Sequence, residues 1–312
     1  MPARRCASVD ISIIIVSWNV ADDLRACLNS LKDAGAGRYA VEVIVVDSAS
    51  EDGTPQRVRA EFPHVKLIAL DENAGFTRGN NIGMAEAAGR YLLLLNPDTE
   101  VIGDAVATLA DLLERDASIG ITGPRTLNTD GTNQSTRRHF PDRRTAVFET
   151  PWLRRFAPDL IRRFEAAEIA DDATADVDSV QGSCMMVRRD VTEQIGGFDE
   201  GFVMYFEELD WCYRAKAAGW RVVYCGDAQI IHHGGRSSGQ VSGRKHVLYN
   251  RSKVRYFTKV YGRGFGVLLG LVLKLVYAWQ WGLEGVKWLL GRQRQIRAER
   301  LAAYGQVLRS GL

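Results

Sequence analysis

Four short apolar runs constrain the first hundred residues more than any other feature: ISIIIV (11–16), VEVIVV (41–46), VKLIAL (65–70) and YLLLLN (91–96). A strand with one wet face alternates apolar and polar side chains, whereas near-continuous apolar runs are what strands buried on both faces require. Amphipathic segments of helical length separate the runs, near 22–33, 54–62 and 77–89. Strand and helix in alternation predict right-handed βαβ units and a mostly parallel central sheet flanked by helices, an α/β fold.

Each run ends in a polar cluster. In an open parallel sheet the ligand binds outside the carboxyl ends of the strands, so these clusters should line one crevice. They supply Ser17 and Asn19, Asp47 and Ser48, Asp71 and Asn73, and Asn96 and Asp98. The stretch DENAGFTRGNNIG (71–83) enriches that rim with Asn73, Asn80 and Asn81, whose amides both donate and accept hydrogen bonds. Gly75 and Gly79 would let backbone approach a ligand, while Gly83 suits an ordinary turn and helix start. No GxGxxG follows the first run, no GxxxxGK occurs, and GRGFG at 262–266 has different spacing, which argues against a dinucleotide and a P-loop. A carboxylate on the NPDTE turn suits a hard divalent cation, Mg²⁺ or Mn²⁺, that bridges a diphosphate.

At 312 residues and 46% hydrophobic composition the chain can bury a sizeable core, and a net charge of +2 excludes a strongly basic nucleic-acid binder. The cysteines, Cys6, Cys27, Cys184, Cys212 and Cys225, show no metal-ligand spacing and are expected as reduced, mostly buried thiols. The run ISIIIV is too short for a signal-peptide core and has Asp10 beside it, so the body of the protein is expected in the cytoplasm.

The second half adds candidate acids and bases. FDEGFVMYFEELDWCYRAKAAGWRVVYC (198–225) places Glu207, Glu208 and Asp210 at an apparent helix start, with Asp210 and Arg214 spaced as an i,i+4 pair. An acidic first turn favoured by the helix dipole is one account of them. The other rests on the surrounding Phe202, Tyr205, Phe206, Leu209 and Trp211, because apolar surroundings raise a carboxyl pKa toward general-base work. A strand, RVVYC (221–225), leads into DAQIIHHGGRSSG, where His232 or His233 on a flexible loop is a candidate metal ligand.

The blocks VSWN, VVDSASEDGT, ENAGFTRGNNIG, LLLLNPDTE, VQGSCMMVRR, IGGFDEGFVMYFEELDWCYRA and AQIIHHGG, in this order, resemble the family 2 inverting glycosyltransferases, in particular the rhamnosyltransferase-like branch, over residues 11 to about 240. The resemblance implies a GT-A fold, a nucleoside-diphosphate sugar donor and a divalent cation. By it, Asp47 contacts the donor's base, Asn19 meets the nucleoside, Ser17 and Ser48 flank them, and Asn73, Arg78 and Asn81 help hold the donor. Asp98 takes the place of the last aspartate of the family's metal motif, but Asn96 replaces the first, and an amide oxygen is the poorer cation ligand. His232 completes the metal or diphosphate site, with His233 as the alternative. The base position is Glu208, where the family usually carries aspartate, leaving Glu207 and Asp210 as the other candidate acids. Gly182, Ser183, Tyr205 and Trp211 would form the acceptor floor, with core packing as the competing account of the neighbouring Met185 and Met186.

Outside these blocks, Arg137 and Arg138 in the arginine-rich stretch 125–163 can reach a diphosphate or belong to a solvated basic face. The domain expected from the resemblance spans 1–250, with a donor half at 10–125 and an acceptor half at 126–250. Residues 251–312 then form amphipathic helices. From Phe265 to Leu290 the chain approaches the length of a membrane span, but Lys274, Glu284 and Lys287 interrupt it. Trp279, Trp281 and Trp288 followed by basic residues favour a peripheral position on the inner face of the cell membrane, with a homodimer contact as the alternative. Members of the branch commonly extend polyprenyl-linked saccharides, so such an acceptor is expected here.

Overall fold

The structure, a computed structural model, describes residues 9–234, 242–291 and 293–312. The four apolar runs form β1 (Ile11–Ser17), β2 (Val41–Asp47), β3 (Lys66–Ala69) and β4 (Tyr91–Leu95). Between them lie α1 (Ala21–Ser30), α2 (Thr54–Glu61) and α3 (Gly75–Ala85). The chain continues through β5 (Thr99–Ile102), α4 (Ala105–Arg115), β6 (Ile119–Leu127), β7 (Asn133–Gln134) and β8 (Arg137–Arg138). After α5 (Arg143–Phe148) and α6 (Pro158–Phe164) come β9 (Thr174–Val177), β10 (Ser179–Val180), β11 (Cys184–Arg188), α7 (Arg189–Ile195), α8 (Glu207–Ala217) and β12 (Arg221–His232). The last elements are α9 (Ser242–Tyr261), α10 (Arg263–Leu289) and α11 (Arg294–Arg309).

The main sheet has the order β3-β2-β1-β4-β11-β6-β12-β5, parallel across β3, β2, β1 and β4, with β11 antiparallel to both β4 and β6. The continuity of the apolar runs has a direct cause. Ile13 and Ile15 of β1 and Leu93 and Leu95 of β4 pack on the face that α1 and α4 cover, while Ile14, Leu92 and Leu94 pack on the face covered by α3 and α8. β3 departs from the expectation of burial on both faces. It is the sheet edge, pairs only with β2 among the described residues, and exposes Lys66 and Ala69. Cys27, Cys184, Cys212 and Cys225 are buried free thiols, and burial pushes Cys27 and Cys212 up to about 12, where they are inert. Cys6 lies outside the described residues.

The chain folds into two compact bodies. The first holds the sheet and comprises residues 9–140, 162–200 and 208–234. The second is helical and joins 141–161 and 201–207 to α9, α10 and α11, so segments far apart in sequence build it together.

Candidate active site

The polar clusters converge because the strand ends are flush. In the register of the sheet Ser17 lies opposite Asp47 and Ile15 opposite Leu95. β4 passes to the side of β1 away from β2, which makes the β1/β4 boundary the topological switch point where α/β sheets open a crevice. Antiparallel β11 starts there, with Cys184 opposite Leu95, so Gly182 and Ser183 arrive at the same edge and the Asn96 N–H donates to the Ser183 carbonyl at 2.9 Å.

The loops after β1 and β2 are fastened to each other. The Asn19 N–H donates to Ser50 Oγ at 2.9 Å, and Asn19 Oδ1 accepts from the Glu51 N–H at 2.8 Å. Both loops carry a non-glycine residue in the left-handed region, Asn19 at φ 52° and Ala49 at φ 58°. Such conformations cost about 1–3 kcal/mol each and persist only where the surroundings enforce them. Asp47 is fully buried, and its Oδ2 accepts from the Ser50 N–H at 2.9 Å. Asp47 Oδ1, Ser17 Oγ, Ser48 Oγ, Asn96 Oδ1 and Ser183 Oγ are buried with no hydrogen-bond partner among the described residues. An unsatisfied buried polar atom costs about 1–3 kcal/mol, so their concentration at one edge marks where a polar ligand supplies partners.

Asp98 and His232 come together at the neighbouring strand end. His232 is the last residue of β12, opposite Thr99 in the ladder, rather than part of a flexible loop, and residues 235–241 of that predicted loop lie outside the described residues. His232 Nε2 stands 3.4 Å from the Asp98 carboxylate, and both residues are buried. His232 Nδ1 lies 2.7 Å from Gln134 Oε1, an oxygen that only accepts, so Nδ1 donates to it and Nε2 faces the carboxylate. A buried imidazole nitrogen and a carboxylate this close are groups of the kind that can hold a divalent cation. Among the described residues no group of three or more His, Cys, Asp or Glu converges on such a point. His233 pairs instead with Glu100 at 2.7 Å. Gln134 was invisible in the sequence, where one glutamine in a polar stretch carries no signal.

Glu208, in the first turn of α8, lies beside Gly182, where an added Cβ would stand 3.4 Å from the Glu208 Cβ. Burial raises the Glu208 carboxyl pKa above its ordinary value, offset in part by the backbone N–H groups of residues 208 and 209 and by the charge of Arg138. A partly buried carboxyl of raised basicity at the crevice is suited to accept a proton. Glu207, its buried neighbour, belongs to the helical body.

Several predicted residues have other work. Asn81 ties α3 to the segment before α8, accepting from the Phe198 N–H at 2.9 Å and donating to the Phe198 carbonyl and to Glu200, both at 3.0 Å. Its amide is therefore consumed inside the protein. Asn73 Oδ1 accepts from the Gly75 N–H at 2.9 Å and shapes the turn into α3, and Arg78 forms an exposed pair with Glu72 at 3.2 Å. Gly79 serves packing, since an added Cβ would lie 2.8 Å from Val16 Cγ1. Asp210 is 1% exposed and accepts from Arg214 Nε at 2.9 Å, while Arg214 also bonds the carbonyls of Ile195 and Gly197; this is a structural clamp. Trp211 is fully buried, donates from Nε1 to the Gly196 carbonyl at 2.9 Å, and packs edge-on to Phe198, so it has no free face for a sugar. Arg137 is likewise buried, over the Tyr224 ring and bonded to Asp171 at 2.9 Å. Tyr205 lies in the helical body with its ring 5.6 Å from that of Tyr249.

Residues 12–196 match the family described as Glycosyl transferase family 2. Over 245 residues the chain is 30% identical to N-acetylglucosaminyl-diphospho-decaprenol L-rhamnosyltransferase of Mycobacterium tuberculosis, covering 74% of this chain and 78% of that one. It is 28% identical over 232 residues to the Low-salt glycan biosynthesis hexosyltransferase Agl10 of Haloferax volcanii, covering 72% and 67%. Among solved structures, Mannosyltransferase PcManGT from Pyrobaculum calidifontis, in complex with GDP-Man and Mn²⁺, aligns with a TM-score of 0.58 at 16% identity, covering 98% of this chain and 88% of that one. That likeness concerns the fold, which is the GT-A arrangement.

Proposed function

This chain belongs to glycosyl transferase family 2, and we propose that it transfers L-rhamnose from dTDP-L-rhamnose, with inversion, to a lipid-linked saccharide in cell-envelope polysaccharide synthesis. Support for the sugar and the acceptor comes from the relative that shares 30% identity and is named an N-acetylglucosaminyl-diphospho-decaprenol L-rhamnosyltransferase. The observation that carries the chemistry is the buried His232 Nε2 set 3.4 Å from the Asp98 carboxylate, with the other ring nitrogen held by Gln134.

The nucleoside would lie along the fastened loops after β1 and β2, with Asp47 and Ser48 presenting buried acceptor and hydroxyl atoms to the base and ribose. Asp98 and His232 would hold Mg²⁺ or Mn²⁺, which supplies stabilisation of the charge developing on the departing diphosphate. Gln134 orients the imidazole by accepting from Nδ1. Glu208 takes the proton from the acceptor hydroxyl as its oxygen forms a bond to the anomeric carbon. The bond from that carbon to the diphosphate oxygen breaks on the opposite face, and its electron pair leaves with the nucleoside diphosphate. Gly182 and Ser183, at the same edge, leave room for the acceptor sugar.

The helical body supports attachment to an anionic membrane surface, where a lipid-linked acceptor resides. α10 is, by length and composition, the one helix among the described residues apolar enough to cross a membrane, yet its face is the more informative feature. Leu268, Leu271, Leu275, Trp279, Val286 and Leu289 recur three, four or seven residues apart and are exposed, forming one uncharged stripe. Glu284, which interrupts the apolar run in sequence, turns inward to Arg297 and Lys287. Exposed Arg294 and Arg300 add the positive charge that anionic lipid attracts.

Purified protein with Mg²⁺, dTDP-L-rhamnose and a polyprenyl-diphospho-N-acetylglucosamine acceptor tests this directly. Formation of a rhamnosylated lipid whose new linkage has the configuration opposite to the donor's supports the proposal. Transfer only from a UDP-hexose would overturn the donor, and retention of configuration would overturn the mechanism.

A further inference from the structure

Tyr205 and Phe206 are consecutive non-glycine residues with φ of 69° and 67°, and the next residue, Glu207, opens the helix that carries Glu208. Side chains with a Cβ avoid this region, so two in a row must be held from outside. The holders lie on α9. Ser252 Oγ donates to the Met204 carbonyl at 2.7 Å. The Tyr249 ring meets those of Tyr205 and Phe206 at 5.6 and 5.4 Å, and Tyr256 meets Phe206 at 5.7 Å. Positions 249, 252 and 256 fall on one helix face, and Tyr249 is itself anchored, since its hydroxyl donates to Glu149, which Lys253 also pairs at 3.1 Å.

We propose that Tyr249 and Ser252 are positioning residues for the general base: they hold the left-handed turn at 205–206 and thereby set where α8 starts and where Glu208 points. The proposal rests on Glu208 being the base. The charged and titratable groups around Glu208 are Glu207 beside it, Arg138 from β8 and Cys212 one turn along α8.

The test compares Ser252→Ala, Tyr249→Leu and Ser252→Thr in the full chain. A displacement of about 1 Å at a reacting group costs on the order of 100-fold, so kcat should fall roughly 10- to 100-fold in the first two. The KM for the nucleotide sugar and its thermal stabilisation of the protein should stay as in the wild type. The acid limb of the kcat profile should move to lower pH as Glu208 loses burial, and Ser252→Thr, which keeps the hydroxyl, should restore kcat. Wild-type kcat in both Ser252→Ala and Tyr249→Leu would overturn the proposal. So would a loss accompanied by weakened donor stabilisation that Ser252→Thr does not recover. Full activity in Glu208→Gln would instead remove the base assignment, so the two failures are distinguishable.

Discussion

The sheet edge of the first body and the outer face of α10 in the second have opposite deficits. At the edge, Asp47, Ser48, Asn96, Ser183 and His232 keep buried polar atoms that the described residues do not satisfy. On α10 the main buried charge, Glu284, is paired, while Leu271 and Leu275 stand 57% and 72% exposed. Burying unsatisfied polar atoms and exposing contiguous apolar ones are both unfavourable, and each is tolerated where a partner of matching chemistry binds. The edge is therefore suited to a polar ligand, and the helix face to an apolar surface.

The edge should respond most strongly to substitution. Glu208→Gln should lower kcat about 100-fold to 10,000-fold while leaving donor stabilisation intact, measured by steady-state kinetics beside a thermal-shift control. Near-wild-type turnover would mean that burial alone, with no role in proton transfer, accounts for this carboxyl. Next, Gln134→Leu should weaken Mn²⁺ affinity about 10- to 100-fold in titrations with a nucleoside diphosphate present, through loss of the histidine orientation. Unchanged affinity would remove His232 from the cation site.

The helix face is tested by Leu271→Asp and Leu275→Asp. Burial of one such side chain is worth about 1.5–3 kcal/mol, so each should reduce partition onto anionic vesicles roughly 10- to 100-fold. Turnover of a water-soluble acceptor should be untouched. If vesicle binding persists and the oligomeric state changes instead, a second copy of the chain covers the stripe.

A smaller effect concerns stability. Because the Glu208 pKa is raised in the folded protein, its contribution is fully present below the ordinary carboxylate range and is lost as pH rises through the folded value. Ionised Glu208 is then a cost, so Glu208→Gln should have the higher Tm at pH 8, with the gap closing as pH falls toward the carboxylate range. A gap that widens on acidification would contradict the burial argument.

Much of the sheet was legible because buried parallel strands write themselves as apolar runs, and the carboxyl-end rule then gathered Ser17, Asp47, Asn96 and Asp98 without coordinates. The side chains that have partners elsewhere in the protein share a feature. Asn81, Trp211 and Arg137 have the right chemistry for ligands, but local sequence does not reveal that Phe198, Gly196 and Asp171 already bond them, whereas the Asp210–Arg214 pair was legible from its spacing. Those partners come mostly from other elements, in the case of Asn81 from more than a hundred residues away. Gln134 and the clamp on 205–206 were missed for the complementary reason, since their significance exists only in the contact.

The chemistry proposed for the edge needs a cation held by Asp98 and His232. Thermal unfolding should be followed with dTDP-, UDP- and GDP-sugars, each with and without Mn²⁺, in the wild type and in Asp98→Ala. A ligand that binds only the folded state raises Tm to an extent that grows with its affinity. The prediction is a cation-dependent rise with one nucleotide class, led by dTDP-L-rhamnose, that disappears in Asp98→Ala. Equal stabilisation with and without Mn²⁺, or stabilisation that survives in Asp98→Ala, would contradict it.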